Sequence, residues 1–297
     1  MGHVDDRDEL ARGFEAHRSH LRGVAYRMLG SLSEADDAVQ EAWLRYSRAD
    51  TRDVENLAGW LTRVVARLCL DMLRTRRSRR EEPLPPDHAG PFVDRREVAD
   101  PEAEVVLADE VGLALLVVLD RLTPAERVAY VLHDMFRVPF DEIAPIVQRT
   151  PVATKKLASR ARGRVNGAAP DAAVDLEGQR PVVEAFLAAS RSGDLQALLA
   201  ILDPDVVRRA DPLALPASMP TVLRGAGAVA QETRTNQQRA RFARLALIDG
   251  AVGLVVAPYG RLFACIRLRV DGGKVAEIDV IAEPQRLDAV DLALFPA

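Results

Sequence analysis

Residues 81–110 set the first limit on this chain. Prolines at 83, 85, 86, 91 and 101 rule out a continuous helix there. Ten acids and two arginines give the stretch a net charge of −8. No single core can be built through it. The 297 residues therefore divide into regions on either side, with an acidic, proline-rich linker between them.

Residues 6–80 read as helices. Ser33-Glu34-Ala35-Asp36 resembles a capping box with Asp in the last place, and predicts a helix start. Ala35, Ala38, Val39, Ala42, Trp43 and Tyr46 then follow at helical spacing, and Asp36, Asp37, Gln40 and Glu41 share the other side. A solvated face with favourable dipole charge accounts for those acids as simply as a docking surface does. A second periodic run, Leu57 to Leu73, ends in Arg74-Thr75-Arg76-Arg77-Ser78-Arg79-Arg80. From residue 60 to 80 there are seven arginines and one acid, Asp71, a pattern suited to a nucleic-acid backbone. Trp60 fits a core position or a base-stacking one.

Beyond the linker, Thr123-Pro124-Ala125-Glu126 has the cap, the proline and the acid of a strong helix start. Phe140 to Gln148 gives a short helix, Arg149-Thr150 a turn, and Pro151 to Arg164 a second helix, with Asn166-Gly167 as its stop. This is helix-turn-helix spacing. Residues 149–164 hold six basic side chains and no acid, as a helix does when it reads base edges while its cations reach phosphates. A basic face on an ordinary bundle helix would look the same.

From about residue 176 the pattern is mixed. Helices are expected near 179–191, 194–202 and 225–239, around a proline-rich loop at 211–220. Strands are expected near 241–248, 252–257, 261–270 and 274–281. Leu262, Ala264, Ile266, Leu268 and Val270 alternate with Arg261, Arg267 and Arg269, the period of a half-buried strand. Asp271-Gly272-Gly273 supplies a hairpin turn.

The whole-chain charge of −4 says little about nucleic acid; its local distribution says more. Cys69 and Cys265 lie in apolar patterns and read as buried free thiols; no metal-ligand spacing or cofactor motif occurs. The polar start and the lack of an 18-residue apolar run predict a cytoplasmic protein without membrane contact.

Together these residues resemble the extracytoplasmic-function (ECF) sigma factors of bacterial RNA polymerase. Ala25-Tyr26-Arg27-Met28-Leu29-Gly30 through Asp36-Asp37-Ala38-Val39-Gln40-Glu41-Ala42-Trp43-Leu44 resembles the core-binding part of sigma region 2. Asn56-Leu57-Ala58-Gly59-Trp60-Leu61 through Asp71-Met72-Leu73-Arg74 resembles its −10-reading part, and Leu122-Thr123-Pro124 through Ser159-Arg160-Ala161-Arg162 resembles region 4, which reads the −35 element. Residues 176–295 resemble the SnoaL-like, NTF2-like domain that one sub-group carries. Asp271-Gly272-Gly273-Lys274 and Glu283-Pro284-Gln285-Arg286-Leu287 match its motifs, and Leu84-Pro85-Pro86 matches its linker motif in degraded form.

The resemblance implies a multidomain protein: two all-α domains (1–80 and 111–168) around the linker, then an α+β NTF2-like cone domain over 176–297. Its partners would be core RNA polymerase, through the clamp helices of the largest subunit and the flap region, and promoter DNA. Asp36, Asp37, Gln40, Glu41 and Leu44 would dock on polymerase. Asn56, Trp60, Arg63, Arg67, Arg74, Arg76 and Arg77 would hold the −10 strand. Thr150, Val152, Thr154, Lys155, Lys156, Ser159 and Arg160 would enter the −35 groove. Leu157 stands where many members have arginine, so the base-by-base reading does not carry over. Pro85, Asp271, Gly272, Gly273, Lys274, Pro284 and Leu287 would make regulatory contacts between domains.

Two other readings stay open. One is a helix-turn-helix regulator that works without polymerase. The other carries a small-molecule-binding or enzymatic C-terminal domain. No histidine follows His133, so any acid–base chemistry there would fall to carboxylates such as Asp205, Asp249 or Asp279. The expectation is a non-enzyme.

Overall fold

The computed structural model describes residues 2–49, 54–81, 112–167, 175–216 and 219–295. The expected linker beyond residue 81, with Pro85, lies outside them. The described residues group into two compact units.

The first unit is helical. Helices α1 (Gly2–Leu29), α2 (Leu32–Tyr46) and α3 (Leu57–Glu81) pack on one another. Ser31, not Ser33, caps α2: its backbone is extended and its Oγ accepts from Glu34 N–H at 3.4 Å. The helix thus starts two residues earlier than the box pattern predicts, because Leu32 is drawn into the core at 6 % exposure. Asn56 caps α3, its Oδ1 accepting from Gly59 N–H at 2.9 Å.

Helix α4 (Leu113–Asp120) begins in the second unit and ends in the first. Helix α5 (Pro124–Tyr130) starts in the expected capping box and runs into a π turn over Val131–Met135. Thr123 Oγ accepts from Glu126 N–H at 3.4 Å, and the Glu126 carboxylate accepts from Thr123 N–H at 3.1 Å. Helices α6 (Phe140–Val147) and α7 (Pro151–Asn166) form the helix-turn-helix, with Gln148 in the left-handed conformation (φ 57°) at the end of α6. Helices α5 and α6 pack directly against α3, so the segments on either side of the acidic stretch share one unit.

The second unit is α+β. Helices α8 (Leu176–Ser192) and α9 (Leu195–Ile201) lead into β1 (Leu202–Ala210) and β2 (Val222–Arg224). Helices α10 (Ala226–Thr235) and α11 (Gln237–Ala240) follow, then β3 (Ala243–Ile248), β4 (Ala251–Val256), β5 (Ala264–Asp271) and β6 (Lys274–Ile281), and finally α12 (Pro284–Ala289) and β7 (Leu292–Ala293). The sheet order is β2-β1-β6-β5-β4-β3-β7, with β1 and β6 parallel and the other neighbours antiparallel. Val206, Leu254, Leu268 and Ile278 meet Val183, Phe186 and Val229 in the core.

Strands β1, β2 and β7 are absent from the sequence expectations. In β1 the inward alternation Val206, Arg208, Ala210 contains a buried arginine, which breaks the apolar pattern. Arg208 pairs with Glu232 of α10 at 2.6 and 2.8 Å and donates to the carbonyls of Pro220 and Thr221 at 2.9 and 3.1 Å.

Candidate polymerase and promoter interface

Helix α2 buries Ala35, Ala38, Val39, Ala42 and Tyr46 and turns Asp36, Asp37 and Gln40 to solvent. Glu41 is half-buried, and Leu44 is 38 % exposed on the same side. Asp36 takes a two-pronged contact from Arg22 of α1 at 2.8 and 3.2 Å, and Glu41 accepts from Arg45 at 3.0 Å. Pairs this exposed add little stability. Their effect is to hold the carboxylates in place around an exposed apolar residue.

Helix α3 buries Leu61, Val65, Leu68 and Cys69. Burial pushes the Cys69 thiol up to about 12, so it packs as an inert apolar group. Cys265 is buried and free as well. Arg63, Arg67, Arg74 and Arg77 face solvent. Arg76 is turned inward instead: it pairs with Glu34 and donates to the carbonyl of Leu29 at 3.1 Å. Trp60 is half-buried, its ring 6.0 Å from that of Tyr46, so neither sequence reading of it holds alone.

Helix α7 presents Val152, Lys155, Lys156, Ser159 and Arg160 to solvent at helical spacing. Val152 is 69 % exposed, an apolar side chain held out among cations. Thr150 caps the helix, its Oγ accepting from Ala153 N–H at 3.2 Å. Thr154, expected on the groove face, is fully buried and donates to the Thr150 carbonyl at 3.0 Å. It points to the opposite side of the helix from Val152 and Lys156, into the bundle.

In the second unit, Asp271 to Lys274 forms the tight β5–β6 hairpin, with Gly272 and Gly273 at φ 53° and 74°. Pro284 opens α12, and Leu287 is buried. The last turn of α7 belongs to this unit, where Leu294 N–H donates to Val165 O at 2.8 Å. A cleft of about 700 Å³ holds Asp249 and Asp279, with Arg267 and Arg286 beside them. Arg267 reaches both carboxylates and Arg286 reaches Asp279, while Asp205 lies elsewhere on β1.

Two buried arginines, Arg127 and Arg208, escaped the sequence reading. For Arg127 a signal existed: it shares a helical face with Val131, four residues on, inside an otherwise apolar stretch. Among the described residues no group of His, Cys, Asp and Glu could hold a metal, and no helix is long and apolar enough to cross a membrane.

Residues 14–79 match the model of sigma-70 region 2, and residues 112–165 match that of sigma-70 region 4. The chain is 35 % identical over 293 residues to the probable ECF RNA polymerase sigma factor SigI of Mycobacterium tuberculosis, covering 96 % of this chain and 97 % of that one. It is 43 % identical over 199 residues to the ECF RNA polymerase sigma factor SigJ of the same organism, covering 67 % and 64 %. The crystal structure of SigJ is 34 % identical, covers 93 % of this chain and 98 % of its own, and superposes with a TM-score of 0.45. Region 2 and region 4 thus fall in order on the two helical stretches that carry the acidic, arginine-rich and helix-turn-helix faces, and the chain belongs to the ECF family of RNA polymerase sigma factors.

Proposed function

We propose that the chain binds core RNA polymerase, directs it to promoters, and is regulated by its own C-terminal unit. Asp36, Asp37, Gln40, Glu41 and Leu44 form the polymerase-docking face. Asn56, Trp60, Arg63, Arg67, Arg74 and Arg77 hold the −10 strand, and Arg76 joins them once released from Glu34. Thr150, Val152, Lys155, Lys156, Ser159 and Arg160 read the −35 groove. The exposed basic face of α7 with Val152 at its N-terminal end is the observation that carries this reading: phosphate contact and apolar contact with a base edge are offered together.

Regulation follows from distance. Base pairs at −35 and −10 are separated by roughly 85 Å of B-DNA, at about 3.4 Å per pair. The two readers here share one unit, with α3 packed on α5 and α6. On this reading they must part before both elements can be held, and the packed arrangement is the closed state. The Asp271–Lys274 hairpin, Pro284 and Leu287, which match the motifs of the sub-group's C-terminal domain, support the C-terminal unit as the regulator. The reading is non-catalytic and cytoplasmic. Asp249 and Asp279 are tied to arginines and poorly placed as general bases.

The test is retention of bacterial core polymerase by the intact chain and by a chain with Asp36→Lys, Asp37→Lys and Glu41→Lys. Retention by the first and not the second is the expected result. Equal retention by both removes the acidic face from the interface. Retention by neither, repeated with residues 1–167 alone, sinks the sigma-factor reading.

A further inference from the structure

At about 100° per residue, Lys155, Lys156, Ser159 and Arg160 all lie within roughly 80° of Val152 around α7. All five side chains are exposed. Thr154, Ala158, Ala161 and Val165 take the other side and are buried. Val152 therefore lies within the exposed stripe, not at its margin, and in the first turn of the helix. Across residues 149–164 the sequence supplies six basic residues and no acid.

Leu44, Val152, Leu213 and Val222 are the exposed large apolar side chains among the described residues, and Val152, at 69 %, is the most exposed of them. One exposed apolar residue is ordinary. This one is set among the cations that would hold a DNA backbone. Packing does not account for it, because little of it is covered. Helix stability does not either, since a β-branched side chain is a weaker helix former than alanine.

A helix in the major groove brings its N-terminal residues to the base edges. Those edges carry hydrogen-bonding groups and one apolar group, the 5-methyl of thymine. A valine can neither donate nor accept. Facing a polar base edge, it would displace water and return no hydrogen bond. Facing the thymine methyl, it removes apolar surface from water on both partners. Cations that reach phosphates fix the helix in the groove without selecting a base.

We propose that Val152 packs on the 5-methyl group of a thymine in the −35 element and so sets the preferred base at that position. This deepens the promoter-reading role proposed above for α7 and rests on it. Lys155 supplies affinity that is blind to the methyl, and Val152 supplies the choice.

The experiment uses the full chain bound to core RNA polymerase. Duplexes with a randomised upstream block are selected on it. Each thymine of the enriched element, on either strand, is then replaced in turn by uracil, which removes the methyl and keeps every hydrogen-bonding group. At one thymine the replacement should weaken binding about fourfold, the equivalent of one buried methyl at about 0.8 kcal/mol. Val152→Ala should bind that thymine duplex and its uracil counterpart equally. Lys155→Gln should weaken both and keep the fourfold ratio between them. The uracil series on the parent chain needs no variant, and an unchanged unfolding midpoint shows that Val152→Ala is folded. An enriched element without thymine, binding indifferent to every uracil replacement, or a fourfold ratio that survives in Val152→Ala overturns the role of Val152 while leaving sequence-specific reading by α7 in place. If no element is enriched, both fall, and retention of core polymerase then shows whether the sigma-factor reading falls with them.

Discussion

Arg127 reaches back a hundred residues in sequence to place both Nε and Nη2 at 3.4 Å from the carbonyl oxygen of Arg27. That carbonyl belongs to the last turn of α1, which Gly30 ends in the left-handed conformation at φ 72°. Final-turn carbonyls lack intrahelical donors and carry the negative end of the helix dipole. Arg76 serves the same helix end through Leu29 O, so α1 is closed by one guanidinium from α3 and one from α5. Burial is the largest influence on Arg127 and lowers its pKa to about 10, with Asp120 opposing the shift. The group stays charged at neutral pH.

Replacing Arg127 with alanine should loosen the helical unit. Asp120 loses its ion pair with Arg127, and Arg27 O loses the Arg127 donors. Removing one member of a buried pair costs on the order of 3 kcal/mol, and the part-exposure of Asp120 places this case at or below that figure. Hydrogen exchange at Met28–Gly30 should quicken together with exchange in α5. Arg127→Lys keeps the charge but cannot span a carbonyl and a carboxylate at once, and should fall between. Unchanged exchange in both variants would mean that the contact does not hold the two segments together.

Asp211 predicts an acid-sensitive loop. Burial would raise its carboxyl, but N–H donors from Glu283 and Ala282 and the Arg286 guanidinium outweigh that and hold it below its ordinary value. A carboxyl lowered in the folded state contributes stability above its unfolded pKa of about 3.9 and loses it as pH falls through the folded value. Asp211→Asn should be less stable than the parent at neutral pH. The two should converge in strong acid, with a shallower acid limb for the variant. Thermal midpoints measured from pH 7 to pH 2 decide this.

Gly167 closes the recognition helix at φ 73°, and a Cβ there would stand 2.5 Å from the Cβ of Ala293. Gly167→Ala meets both an unfavourable backbone and a contact that neither side can yield easily. It should lower the thermal midpoint by several degrees, corresponding to about 1–3 kcal/mol. It should also break the Leu294–Val165 hydrogen bond, seen as faster exchange at Leu294. Gly163→Ala is the control: its Cβ would meet nothing within 4 Å, and it should be neutral or stabilising.

The recognition helix, its turn and the capping box at Thr123 were legible because each depends on neighbours within a few residues. The β5–β6 hairpin was legible for the same reason. Strand β1 was not, since its inward Arg208 is acceptable only with Glu232, twenty-four residues away. Thr154 was misplaced because its hydroxyl is satisfied locally by Thr150 O, which lets a polar residue face the core. Arg76 looks like a DNA-facing charge in sequence, and Arg127 shows no more than an apolar neighbourhood. They are structural because α1 ends beside them, and that is a fact of packing.

The Arg208–Glu232 pair gives the sharpest test of the C-terminal unit. Both side chains are nearly buried, at 4 % and 8 % exposure, and the two hydrogen bonds between them form a parallel fork. Arg208 also ties down the carbonyls of Pro220 and Thr221. Arg208→Met strands a buried carboxylate and frees those carbonyls, and should cost about 3–5 kcal/mol. Glu232→Leu strands the guanidinium and should cost a similar amount. Desolvation consumes much of what a buried pair gains, so the double variant Arg208→Met/Glu232→Leu should recover most of the loss. The shortfall that remains would measure the carbonyl bonds. A thermal double-mutant cycle on the full chain reads all three terms, and simple additivity of the single losses would show that the pair is not coupled.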